Sequence, residues 1–74
     1  MTNSTTQYLK ENIKAYRIAK KYTQEKLSEL TGISTDYISE IERGKKLPSF
    51  KRFLKIAEAL DVPAYKFLLP QGEN

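Results

Sequence analysis

The 74-residue sequence contains no cysteine and no histidine. Lack of cysteine excludes a disulfide framework and a thiol nucleophile, and lack of histidine excludes an imidazole base; the ordinary zinc sites go with them. No metal site and no cofactor are expected, and no small-molecule ligand is indicated. No apolar run approaches the roughly 18 residues of a bilayer span, and the opening MTNSTTQ lacks the basic-then-apolar layout of a secretory signal. The expectation is a cytoplasmic protein with no membrane partner. Length is also in short supply. A chain of this size buries only about 60% of its unfolded surface, which leaves room for one small core, no deep substrate cavity and no second domain.

What is present suits a folded chain. Hydrophobic residues make up 39% and charged residues 30%, with five tyrosines and three phenylalanines, a globular rather than a disordered composition. Thirteen basic against nine acidic residues give a net charge of +4. That modest excess points to an anionic partner without choosing between nucleic acid and an acidic protein.

Five apolar-periodic segments are separated by short polar breaks, and none alternates strictly as a strand would. The class is all-α. Leu9, Ile13 and Tyr16 form the stripe of a first helix over about residues 7–20, opposed by Lys10, Glu11, Lys14, Arg17 and Lys21. Thr23 offers an N-cap for a second helix from Gln24 to Thr31, with Tyr22 and Leu27 spaced as a hydrophobic staple, and Gly32 has the backbone freedom that a tight exit needs. Ser34 caps a third helix over 35–43, where Ile33 and Ile38 repeat the staple and Gly44 follows the last turn. Pro48 and Ser49 open a fourth, with Phe50, Phe53, Leu54, Ala57 and Leu60 as its apolar stripe. After the break at Asp61, Val62 and Pro63 comes a short fifth helix over 64–69. Its Tyr65, Phe67, Leu68 and Leu69 are more apolar surface than so small a core hides, which makes them a candidate homodimer interface. Residues 1–6 and 70–74 read as flexible tails around one domain, 7–69.

Two helices of about eight residues joined by a short glycine-containing turn have the shape of a helix-turn-helix, here Gln24 to Arg43. The run TQEKLSELTGISTDYISEIERGKKLPSF, followed by FLKIAEALDV, resembles the phage repressor and Cro family of bacterial regulators, also called the xenobiotic-response-element family. The resemblance spans about Leu9 to Leu68. It implies a compact five-helix, lambda-repressor-like domain, bacterial or phage-encoded, that binds double-stranded DNA as a homodimer. The second helix would brace the phosphates and the third would lie in the major groove. The resemblance also gives Gln24 a contact to the DNA backbone and pairs Arg17 with Glu42 as an internal ion pair joining the first helix to the end of the third. Three positions depart from the family pattern: Lys21 and Asp61 stand where glycine is common, and Ser28 where alanine is.

The third helix turns Ile38 and Ile41 one way and Asp36, Ser39, Glu40 and Arg43 the other, flanked by Thr35 and Tyr37. Thr35, Asp36, Ser39 and Glu40 are therefore the candidate base readers. Charge is unevenly placed: residues 1–21 hold five bases and one acid, 22–44 two and five, and 45–66 six and two. Because the reader is acidic, phosphate contact falls to its flanks. The candidates are Lys14, Gln24, Ser34, Tyr37, Arg43, Lys45, Lys46 and Lys51, with Arg52 at the edge of the cluster. Like charge at i, i+4 sets Asp36 against Glu40, an arrangement that Arg43 at i+3 would relieve. The functional expectation is a sequence-specific transcriptional regulator, a repressor acting on an inverted-repeat operator. Its rival is a protein-interaction module of the same fold, for which the carboxylates at 36 and 40 argue. No nucleophile is paired with a base, so the chain is not read as an enzyme.

Overall fold

Three helix starts in this chain are set by hydroxyl caps. The structure, a computed structural model, describes residues 4–73. Its elements are α1 (Ser4–Ala19), α2 (Gln24–Thr31), α3 (Thr35–Glu42) and α4 (Phe50–Leu60), followed by 3-10 turns at Ala64–Leu68 and Gln71–Glu73. No strand occurs among the described residues. Thr23, Ser34 and Ser49 each accept from the backbone amide three residues on, at 2.9, 3.1 and 3.2 Å, satisfying one orphan donor per helix. Gly32 closes α2 at φ 75°, its amide bonded to the Ser28 carbonyl at 2.8 Å. Two positions where the resemblance implies glycine keep the left-handed conformation without it: Lys21 closes α1 at φ 62° and Asp61 closes α4 at φ 58°.

The core joins all four helices to the segment after them. Ile13, Leu27, Ile38, Ile41, Ile56, Leu60 and Phe67 are fully buried, with Leu9, Ile33, Phe53 and Ala57 nearly so. Phe67 is met edge-on by Tyr16 at 5.0 Å and by Phe53 at 5.7 Å between ring centroids. Such pairs add about 0.5–1.5 kcal/mol each beyond area burial.

Several expectations are corrected. The first helix starts at Ser4, so residues 4–6 of the expected tail are helical, while residues 1–3 and 74 lie outside the described residues. The fifth segment is a 3-10 turn rather than an α-helix, because Pro63 and Pro70 leave too few residues between them for α-helical bonding to propagate. Phe67 is withdrawn from the candidate interface: it lies at the centre of the chain's own core. On α4, Phe50 is 74% and Leu54 43% exposed, and Ile56 is buried instead. Phe50 is in phase with Phe53 and Ala57 but sits at the first position of the helix, a turn beyond the core.

Two buried polar side chains hold the frame. Asn12 lies within the α1 stripe, and its Nδ2 donates to the carbonyls of Phe67 at 2.9 Å and Leu69 at 2.7 Å, with Lys66 O at 3.4 Å. It clamps the C-terminal segment onto α1. Thr31 donates its hydroxyl to Leu27 O at 2.8 Å and accepts from the Ile33 amide at 3.2 Å, so the exit of α2 is stitched on both sides of Gly32.

Candidate nucleic-acid interface

The function of α3 follows from what it buries and what it leaves open. Ile38 and Ile41 are about 1% exposed, which fixes the helix's rotation. Opposite them Asp36 is exposed, and Thr35, Ser39 and Glu40 are partly exposed. A two-turn helix with one face locked and the other polar presents the four candidate readers together on a rigid support.

A buried ion pair locks its far end. Arg17 Nε donates to Glu42 Oε2 at 2.7 Å and Nη2 to Oε1 at 3.1 Å. The side chains are only 12% and 3% exposed, and a forked guanidinium-carboxylate geometry fixes orientation as well as distance. Arg17 Nη1 also donates to Tyr22 O at 2.7 Å, and Gln24 Nε2 to Glu42 Oε1 at 3.1 Å. Glu42 thus ties α1, the start of α2 and the end of α3 to one carboxylate. The amide of Gln24, expected to contact DNA backbone and to support the reader, is turned inward to the supporting task.

Around the C-terminal end of α3 the basic residues form a group. Arg43, Lys45, Lys46, Lys51 and Arg52 are all exposed. Tyr37 organises part of it: its hydroxyl donates to Leu47 O at 3.2 Å, with Lys46 Nζ 5.3 Å and the Arg52 guanidinium carbon 4.7 Å from the ring centroid. Both are within the range of cation-π attraction. Arg52, placed only at the edge of the cluster by sequence, is therefore one of its ordered members. Lys46 pairs with Glu40 at 3.4 Å, which corrects the expected relief by Arg43; Arg43 directs its Nε to Ser39 O at 3.4 Å instead. Ser34 is exposed but its hydroxyl is occupied as the N-cap of α3. Lys14 stands apart on the exposed face of α1, with no ion pair to another described residue.

The candidate partner surface after α4 contains Tyr65, 61% exposed, and Leu68, 38% exposed, with Leu69 partly covered. Tyr16 lies beneath it. Its hydroxyl is buried without a hydrogen-bond partner, and burial, followed by the nearby Tyr65 phenol, raises its pKa above the ordinary tyrosine value. No group of three or more carboxylates suited to a metal ion occurs among the described residues, and none of the described helices is long and apolar enough to cross a membrane.

Comparison with known proteins converges on the same segment. A family model described as helix-turn-helix matches residues 13–67. A hypothetical transcription factor from Neisseria meningitidis serogroup B is 35% identical over 63 residues, 85% of this chain and 59% of that protein, so the chain spans well under two thirds of that relative's length. A crystal structure of a hypothetical transcription factor from Neisseria superposes with a TM-score of 0.87 at 33% identity, covering 95% of this chain and 79% of that one. The restriction-modification controller protein C.AhdI from Aeromonas hydrophila superposes at 0.78 with 32% identity, covering 81% and 91%.

Proposed function

The chain belongs to the helix-turn-helix family of regulators, of the phage repressor and Cro type, and from that premise we propose that it is a sequence-specific transcriptional regulator of double-stranded DNA. The observation that carries the reading is the contrast on α3. Its apolar side is buried and its end is bolted through Glu42, while Thr35, Asp36, Ser39 and Glu40 face outward. That polar face would contribute nothing to a core, and it has the dimensions of a major-groove probe. Exposed Arg43, Lys45, Lys51 and Arg52 supply the phosphate attraction that the acidic reader lacks. The protein acts in the cytosol, as a binder rather than a catalyst, and represses by occupying its site.

Assembly is a homodimer through Tyr65, Leu68 and Leu69. Paired recognition helices about 34 Å apart then read an inverted repeat whose half-sites are one helical turn apart. Asp36 and Glu40 favour a second reading, a protein-binding module without DNA recognition, because carboxylates repel phosphate. Selection of bound sites from a random DNA pool, followed by titration at several salt concentrations, separates the two. The regulator enriches an inverted repeat and loses affinity log-linearly with salt. Failure to enrich any sequence, with binding insensitive to salt, sinks the regulator reading.

A further inference from the structure

Lys46 has two competing claims on it. Its ammonium lies 3.4 Å from the Glu40 carboxylate, with side-chain exposures of 51% and 32%. The backbone holds the two together, since the amides of Lys45 and Lys46 both donate to Glu40 O, at 2.8 and 3.3 Å. Beside it Arg52 packs over the same Tyr37 ring and has no carboxylate within ion-pair distance among the described residues. Of the two cations ordered by Tyr37, one is open to an incoming anion and the other is already paired with a candidate reader.

A solvent-exposed ion pair of this kind is weak and exchangeable, so a DNA phosphate can take the lysine. The carboxylate left behind then needs a donor. In the major groove it finds one in the exocyclic amine of cytosine, and it is repelled by the acceptor edge of guanine. Resting on the DNA-binding reading above, we propose that Glu40 and Lys46 form an exchange pair that couples backbone contact to base reading. In the free protein Lys46 neutralises Glu40. On the operator Lys46 moves to a phosphate and Glu40 accepts from a cytosine amine. Where guanine faces Glu40, the released carboxylate would meet only acceptors, Lys46 stays on it, and that phosphate contact is not made. The acidic residue on the reading face thereby withholds a contact from the wrong sequence.

The test is the salt dependence of binding, measured on the selected operator and on the same duplex with the facing cytosine-guanine pair inverted, so that guanine takes the place of cytosine. For the wild-type protein the log-log slope is steeper on the operator by about 0.9 per half-site, one phosphate contact. Glu40→Gln frees Lys46 on every sequence, so both slopes take the steeper value; Lys46→Ala gives the shallower value on both. The comparison of two duplexes with the unaltered protein needs no variant to fold. Equal wild-type slopes, or a slope difference that survives Glu40→Gln, overturn the exchange. Specific, salt-dependent binding with equal slopes overturns the exchange alone, whereas no salt-dependent binding to either duplex overturns the regulator reading with it.

Discussion

Replacing Asn12 by aspartate changes one NH2 group to an oxygen and reverses the sense of the clamp. Nδ2 now donates to two carbonyls at 2.7 and 2.9 Å in a side chain that is 1% exposed; in the variant an oxygen faces oxygens. The buried Phe67 carbonyl left unsatisfied costs about 1–3 kcal/mol, and the part-buried Leu69 carbonyl adds less. A chain of this length is stable by roughly 4–11 kcal/mol in all, so Asn12→Asp removes a large part of the total. The loss depends on pH. A buried carboxyl beside carbonyls holds its proton, so its folded pKa lies above the unfolded value near 3.9. Stability relative to the wild type is therefore highest below about pH 3.9, where the neutral acid still donates one bond. It falls by about 1.4 kcal/mol per pH unit as pH rises toward the folded pKa. Urea unfolding followed by circular dichroism at pH 3.5, 5 and 7, with Asn12→Ala as an uncharged control, measures this. A loss below about 1 kcal/mol, or one that is flat with pH while Asn12→Ala behaves identically, refutes the clamp.

Three further outcomes follow from other contacts. Tyr16→Phe deletes a hydroxyl that is buried without a partner, so it raises stability by about 0.5–1 kcal/mol; a loss in thermal denaturation means that the hydroxyl is satisfied. Glu42→Gln strands Arg17 in a site that is 12% exposed and costs about 3–5 kcal/mol. Its effect on DNA affinity, measured well below the unfolding midpoint, is a loss on every sequence, because α3 as a whole is released. Lys21→Gly relieves a left-handed backbone worth about 1–2 kcal/mol, offset by the greater freedom of glycine in the unfolded chain, about 0.5–1. A net gain near 0.5–1 kcal/mol in urea is expected, and a net loss contradicts it.

The parts of the fold that were legible in the sequence are those with local chemistry. Thr23, Ser34 and Ser49 cap helices by reaching three residues ahead, and a hydroxyl before an apolar-periodic run announces that reach. Arg17 and Glu42 came from the family pattern, and they meet. The role of Asn12 was not legible, because its acceptors are 54–57 residues away. The one available signal was an amide in phase with Leu9, Ile13 and Tyr16. Phe67, grouped by sequence with Tyr65, Leu68 and Leu69 on the candidate interface, is instead buried while Tyr65 stays exposed, since a five-residue 3-10 turn gives periodicity too little length to establish a buried face. Glu40 was expected to lean on Arg43 by the helix spacing rule. Arg43 is instead the residue that ends α3, and past that point the loop delivers Lys46, which no helical spacing anticipates.

The central claim, that the open face of α3 reads base sequence, is tested most directly by replacing Thr35, Asp36, Ser39 and Glu40 with alanine together and repeating the site selection beside the wild-type protein. All four lie outside the buried core, so the fold should stand, and unchanged thermal unfolding verifies it. Salt-dependent binding is expected to persist through the basic flanks while base preference collapses at symmetric positions in the two half-sites. An unchanged preferred sequence would contradict it.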